Sequence, residues 1–424
     1  MSGASFIHVA DVHLDSPLST LRKIDEATAA RLQNASRRAL QNVVQVAIEN
    51  QVCAVVIAGD LFDGPVKDVG AGLWVDSQFK RLARENIAVI LIRGNHDALS
   101  NARRVIRWSK NVHEMPADAP ATVCLEKAGI AFHGQSFGAR SEATDLALAY
   151  PAPTMGYFNV GVLHTSLAGS PNHDNYAPTS ITTLESKGYD YWALGHIHAR
   201  TEQSQSPHCY IGFSGNTQGR HIREPGAKGC QLVQVVDQRL KSIDFIPTDS
   251  LRWHELLVDL AQLDYVGDVE DMVREQASQL QEVAEGRNLA LRVRLQGATN
   301  LHADLTRPGI VDRLGDSLTG ALNEVGEIWL ESIQIESRPA RVVASADLDL
   351  PLKYLSQVTD ELRTDSVARE ELLGVLEELF RKSRSELTET DYALISEKRQ
   401  SAELSRLLGM AEDLLVARLV ADED

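Results

Sequence analysis

Five clusters of hard donors recur in the first half of the chain: Asp11-Val-His13, Gly59-Asp60-Leu-Phe-Asp63, Gly94-Asn95-His96-Asp97, His164, and Gly195-His196-Ile-His198. They combine carboxylates, imidazoles and one amide oxygen with no thiolate. That set suits Mn²⁺, Mg²⁺, Fe²⁺ or Zn²⁺ rather than soft ions, and Mn²⁺ where coordination is six-fold. A carboxylate such as Asp60 can bridge two ions roughly 3.5–4 Å apart, which lowers the pKa of a shared water and offsets charge on a phosphoryl group. Each cluster alone is weak, because Asp-x-His is common and Gly-Asp-x-x-Asp is often a loop or cap. Together they would all have to be explained separately by any blander account.

The elements that must position them are apolar runs. Phe6–Ala10, Cys53–Ala58, Ile87–Ile92, Phe158–Leu163 and Tyr189–Leu194 read as strands, each followed by a donor cluster. Open α/β sheets gather their sites at such C-terminal strand ends. An extended backbone would point Asp11 and His13, two apart, to one side, and His196 and His198 likewise. Between these runs, 27–50 and 73–85 carry helical spacing. Further strands are expected at 130–133, 209–213, 231–236 and 242–246. The fold class expected is α/β, with stacked β-sheets flanked by helices over residues 1–250.

Near residue 250 the pattern changes. Residues 253–260 and 289–295 read as strands around a helix at 268–285, a small α+β accessory domain over 251–340. Leu291-Arg-Val-Arg-Leu295 alternates, so Arg292 and Arg294 form a short basic stripe. Residues 341–424 are rich in helix formers, and a helical tail of this kind would dock on a partner.

These motifs, in this order, resemble the calcineurin-like metallophosphoesterases over about the first 250 residues. Phe6–Leu18, Gly59–Asp63 and Arg93–Asp97 look like the DNA-repair exonuclease branch, the nuclease subunits of SbcCD type. His173–Pro178 and Gly215–Gly229 look like its bacterial YhaO subfamily. The resemblance implies that Asp11, His13, Asp60 and His198 hold one ion, and Asp60, Asn95, His164 and His196 a second. It implies that His96 acts on the scissile phosphate and that Asp63 orients His96. Leu14-Asp15 replaces the Leu-Gly of SbcD itself, which favours the YhaO-like branch.

On this reading the chain is a two-metal phosphodiester hydrolase, a DNA exo- or endonuclease subunit in repair. A phosphodiesterase or phosphatase for small molecules is the alternative. No Gly-x-x-x-x-Gly-Lys-[Ser/Thr] occurs, so the chain carries no Walker A of its own; the resemblance implies an SbcC-type coiled-coil ATPase as the partner receiving the tail, and a homodimer. Arg220 and His221 could contact a substrate phosphate, or Glu224 could pair with Arg220 or Arg223 and only shape the loop. His8 reads as a packed core histidine, His133 as structural or as support for the site, and His173 as a loop residue bordering it.

The net charge of −17 argues against binding nucleic acid by bulk attraction. Residues 341–424 carry 11 basic and 19 acidic side chains, so −8 of it lies in the last fifth of the chain. Phosphate must then be drawn by metals and local cations. Cys53, Cys124, Cys209 and Cys230 are far apart with no CxxC pair, which suggests reduced core cysteines in a cytoplasmic protein. Without a basic n-region, a long apolar run or a membrane span, neither a signal peptide nor a membrane is expected.

Overall fold

A computed structural model describes residues 3–16, 34–64, 69–98, 107–167, 176–203, 206, 208–261 and 263–340, with a few isolated positions from 354 onward. Most of the tail expected over 341–424, His173, and residues 27–33 of the first expected helix lie outside the described residues.

The elements in order are β1 (Gly3–Val9), α1 (Ala35–Glu49), β2 (Ala54–Ala58), α2 (Val69–Arg84), β3 (Ala88–Ile92), β4 (Val112–Glu114), β5 (Ala121–Leu125), β6 (Ile130–Gly134), β7 (Phe158–His164), α3 (Ile181–Ser186), β8 (Tyr191–Gly195), β9 (Thr201–Glu202), β10 (Tyr210–Phe213), β11 (Gly229–Val236) and β12 (Arg239–Pro247). They form two six-stranded mixed sheets, ordered β12-β11-β1-β2-β3-β4 and β5-β6-β7-β8-β10-β9. The fold is α/β, with stacked sheets and helices.

The runs Ala54-Val-Val-Ile-Ala58 and Ala88-Val-Ile-Leu-Ile92 are apolar throughout because both faces are covered. In β2, Val55 and Ile57 meet Leu40, Val43 and Val44 of α1 and Val75 and Phe79 of α2 in one core. Ala54, Val56 and Ala58 join Ile90, Phe132, Val160, Val162 and Ala193 in the core between the sheets. There Phe6 packs edge-on against Phe132 and Tyr191, with centroids 5.6 and 5.4 Å apart. A third core, with Trp192, Tyr150 and Phe213, covers the far face of the second sheet.

β1, β2 and β3 are mutually parallel, as are β7 and β8. Their C-terminal ends carry the donor clusters. This arrangement leaves the loops after β1 and β2 side by side, bonded Asp11 N to Gly59 O, His13 N to Asp60 O and Leu14 N to Leu61 O at 3.0–3.1 Å.

Beyond residue 250 come β13 (Leu251–Asp259), α4 (Val266–Val283), β14 (Asn288–Thr299), α5 (His302–Leu305), α6 (Ile310–Val325) and β15 (Ile328–Pro339). The sheet order is β13-β14-β15. α6 and β15 go beyond the strand–helix–strand unit expected. The chain forms two compact units, one of Met1–Glu255, Ala277–Arg292 and Asn323–Glu331, the other of Leu256–Gln276, Val293–Leu322 and the chain from Ser332.

Three expectations need correction. Arg292 and Arg294 are not a free basic stripe. Arg292 is held by Glu331 at 2.8 and 2.7 Å, and Arg294 by Glu336 at 3.2 and 2.6 Å, cross-strand pairs that cancel the charge. The cysteines are all free but not all core residues, since Cys124 is exposed and Cys53 only partly buried. Nor is the backbone extended at Asp11, His13 or His196, where φ is 51°, 43° and 104°.

Candidate metal centre

The convergence of the donors comes from that backbone. Asp11, His13, Asp60 and His196 are non-glycine residues with positive φ, Asp60 at 53°. Each such residue costs on the order of 1–3 kcal/mol and persists only where its surroundings hold it. The loop hydrogen bonds after β1 and β2 supply part of that hold. Glycine is required beside it. A Cβ on Gly94 would lie 2.4 Å from Asp60 Oδ1 and 2.7 Å from His164 Nε2, and one on Gly195 would lie 1.9 Å from the Ala58 carbonyl oxygen.

All nine residues expected to serve the site lie together. Three groups have ligand atoms within 4.8 Å of one another: Asp11, His13 and His198; His13, Asp60 and His96; Asp11, Asp60 and His164. Asp60 Oδ2 lies 3.7 Å from His13 Nε2 and 3.4 Å from His164 Nε2. Asn95 Oδ1 is 2.9 Å from His164 Nε2, and His164 Nδ1 is 3.0 Å from the Ala58 carbonyl. His196 belongs to none of the three groups. Its backbone N–H donates to both Asp11 carboxylate oxygens at 3.1 and 3.0 Å, and its ring stands 5.3 Å from that of His164.

The imidazoles have assignable tautomers. His13 Nδ1 is 3.1 Å from Asp63 Oδ1, and His198 Nδ1 is 2.7 Å from Glu224 Oε1. Each carboxylate accepts a hydrogen bond from Nδ1–H. The two Nε2 atoms then face each other at 3.2 Å, an arrangement that calls for a cation between the lone pairs. Asp63 Oδ1 also receives His96 Nδ1 at 3.1 Å. These two hydrogen bonds hold Asp63 far below the usual carboxylate range, and the bond to Asp63 raises His96 against its partial burial. Burial would push Asp60 up, but His164 and His13 draw it well down. Burial likewise works to lower His164, yet Asp60 lifts it to about 9. Positive charge is therefore strongly favoured at the centre of this cluster. Divalent cations fit a donor set of this kind, with buried carboxylates and oriented imidazoles at one strand-end edge.

Two residues beside the site carry more than their motifs suggest. Asp97 is buried and accepts from Gly94 N at 2.7 Å and Leu61 N at 2.9 Å, tying the loop after β3 to that after β2. Burial and nearby Asp60 push its carboxyl up to about 7. Glu224 backs His198 at 2.7 Å and also pairs with Arg220 at 3.5 Å. Glu224 also accepts from Arg220 N and Asn216 Nδ2, both at 2.8 Å. Nothing in the local sequence marks it, because its partner stands 26 positions away. Asp97 was visible as the fourth residue of Gly-Asn-His-Asp, but only the fold reveals its two amide partners.

Arg220 reaches the rim, with Nη1 3.8 Å from Asp63 Oδ1 and Nη2 3.5 Å from Glu224 Oε1. His221 turns toward Glu224, 3.6 Å away. His133 is remote from the site, bonded to Thr122 and Asn159 and stacked on Tyr189. His8 is fully buried between the sheets, with Nε2 3.1 Å from the Leu194 carbonyl and Nδ1 3.0 Å from Tyr191 Oη. Among the described residues, no helix is long and apolar enough to cross a membrane.

The family model for calcineurin-like phosphoesterases matches residues 4–200, and that for the middle domain of the metallophosphoesterase YhaO matches residues 253–338. The uncharacterized metallophosphoesterase YhaO of Bacillus subtilis is 33% identical over 387 residues, 90% of this chain and 91% of its own. The DNA double-strand break repair protein Mre11 of Methanopyrus kandleri is 24% identical over 227 residues, 48% of this chain and 47% of its own. A dimetal phosphatase from Danio rerio aligns in structure over 54% of this chain and 92% of its own, at 13% identity and a TM-score of 0.33.

Proposed function

We propose that this chain, which belongs to the calcineurin-like metallophosphoesterase family and is a metal-dependent phosphoesterase, cleaves DNA phosphodiesters as the nuclease subunit of a repair complex. The observation that carries the reading is His96, oriented by Asp63 at 3.1 Å on the open side of the donor cluster, with about a third of its side chain exposed. A buried cluster that merely stored metal would have no use for such a group.

In this reading Asp11, His13, Asp60 and His198 hold one divalent ion, and Asp60, Asn95, His164 and His196 a second, with Mn²⁺ the ion of choice. Bound there, the ions supply Lewis-acid charge and an activated water. Asp60, central to two of the donor groups, is the shared carboxylate. Asp63 keeps the Nδ1 proton of His96 in place, so the Nε2 proton is presented to the leaving oxygen. Arg220 and His221, at the rim, meet the phosphate backbone.

DNA as substrate is supported by the partial kinship with Mre11, a break-repair protein, and by the chain beyond residue 250, which a small ester does not need. The acidic balance and the paired state of Arg292 and Arg294 favour a second reading, a phosphodiesterase for small molecules. A coiled-coil ATPase bound to the segment 341–424 would supply the positive surface that DNA requires.

The test offers single-stranded DNA, duplex ends and bis-p-nitrophenyl phosphate to the chain with and without Mn²⁺, alone and with a candidate ATPase. Mn²⁺-dependent DNA cleavage abolished by His96→Ala is expected. Hydrolysis of the small ester with no DNA cleavage in any arm selects the second reading. DNA cleavage unchanged by His96→Ala rejects the role given to that residue.

A further inference from the structure

We infer that Glu224 is a positioning residue of the metal centre, which fixes His198 as an Nε2 donor and, through Arg220, braces it against Asp63. The inference rests on the reading of His198 as a ligand. Two histidines, His13 and His198, face each other through Nε2 at 3.2 Å, and each is backed on Nδ1 by a carboxylate, Asp63 at 3.1 Å and Glu224 at 2.7 Å. The backing is symmetric in chemistry but comes from separate loops. Asp63 follows β2, whereas Glu224 lies in the stretch between β10 and β11.

The guanidinium of Arg220 spans the two carboxylates, 3.8 Å from Asp63 and 3.5 Å from Glu224. Its Nη2 is also 3.2 Å from His198 Nδ1. The Glu224 carboxylate can only accept, so His198 Nδ1 carries a proton and donates it to Glu224, and the arginine, itself a donor, sits beside that bond. The result is a carboxylate–arginine–carboxylate brace behind two imidazoles.

Glu224 is itself held. Its second oxygen accepts from Arg220 N and from Asn216 Nδ2. Asn216 in turn bridges to Ala10, next to Asp11, and its N–H bonds the His198 carbonyl at 3.2 Å. Glu224 is 7% exposed, so it is shielded from water that could take over its role. A glutamate that only shaped its loop would need the Arg220 and Asn216 bonds but not the bond to His198. Outer carboxylates of this kind typically change metal affinity 10- to 100-fold.

The test uses the full chain stripped of metal and titrated with Mn²⁺, with bound ions counted calorimetrically. Glu224→Gln keeps the size and the amide bonds of the loop but replaces the anionic acceptor for His198. The expected result is a weakening of one Mn²⁺ site by about tenfold or more, with the other changed less than threefold. Activity should return at saturating Mn²⁺, and the thermal midpoint of the metal-free chain should stay within a few degrees of the parent. Both affinities within threefold of the parent in a folded Glu224→Gln chain would overturn the inference. Should that variant unfold, Glu224→Asp, which keeps the charge but withdraws it, is read by the same criteria. A parent chain that binds no Mn²⁺ would instead reject the metal assignment beneath it.

Discussion

Gly94→Ala separates the metal centre from the stability of the fold. At Gly94 the backbone is not in the left-handed region, so alanine is tolerated there by conformation and excluded only by space. The new methyl would sit 2.4 Å from Asp60 Oδ1 and 2.7 Å from His164 Cε1 and Nε2. Ordinary contacts are about 3.5 Å or more, so Asp60 and His164 must together give way by about 1 Å. A displacement of that size costs catalysis about 10²-fold, or about 2.7 kcal/mol in the barrier. Overpacking should remove only about 1–3 kcal/mol of stability. The assay is Mn²⁺-dependent hydrolysis of bis-p-nitrophenyl phosphate, with urea unfolding of the same samples. Gly320→Ala in α6 serves as the control, because nothing lies within 4 Å of its new methyl. It should leave the rate unchanged and add up to about 1 kcal/mol of helix stability. A folded Gly94→Ala chain within threefold of the parental rate would refute the claim that Asp60 and His164 meet at this point.

Burial lowers His8 from its ordinary value of 6.5 to about 4. The unfolded chain therefore binds this proton first as the pH falls, and the stability His8 contributes is present above pH 6.5 and lost below it. From pH 6.5 to pH 5, 1.5 units at 1.36 kcal/mol each is about 2 kcal/mol, and His8→Gln should lose about that much less stability over this interval in urea titrations. An unchanged slope would mean that His8 takes up its proton in the folded state. Asp97→Ala leaves the buried N–H groups of Gly94 and Leu61 without their carboxylate, at about 1–3 kcal/mol each. A urea midpoint shift worth less than 1 kcal/mol would count against that bracing role. Arg220→Ala should raise KM for the small diester about tenfold, or about 1.4 kcal/mol. Arg294→Ala should leave it unchanged, since Glu336 already engages that guanidinium; equal effects of the two would contradict the assignment of Arg220 to the rim.

Much of the arrangement was legible in the sequence because strand ends carry apolar runs and site residues side by side. Cys53–Ala58 reads as a strand covered on both faces and Ile87–Ile92 as the next strand, and the structure places β2 and β3 within a residue of those bounds. The donor clusters could be named from type and spacing. Their geometry could not, since an extended Asp11-Val-His13 was expected where the backbone is left-handed at both outer residues. That conformation is imposed by the neighbouring loop of Gly59–Leu61, a contact across more than 40 positions. The strand Ile328–Pro339 escaped because it has few fully buried positions to set a pattern, Ile328 being its one buried residue. Arg292 and Arg294 looked basic because their neutralising partners, Glu331 and Glu336, arrive from that strand.

The two facing imidazoles, His13 and His198, are 185 positions apart in the chain. A growing polypeptide on the ribosome has half of the cluster early and none of its closure until both sheets have formed and Glu224 has emerged. Ions therefore recognise the finished chain and have little affinity for an incomplete one. At a free concentration a thousand times the dissociation constant, a single site of this kind shifts the folding balance by about 4 kcal/mol. If ions bind there, chelation should shorten the lifetime of the chain in cells by that linkage. Pulse-chase half-lives measured with and without chelator should differ, and equal half-lives would show that the fold stands without its ions.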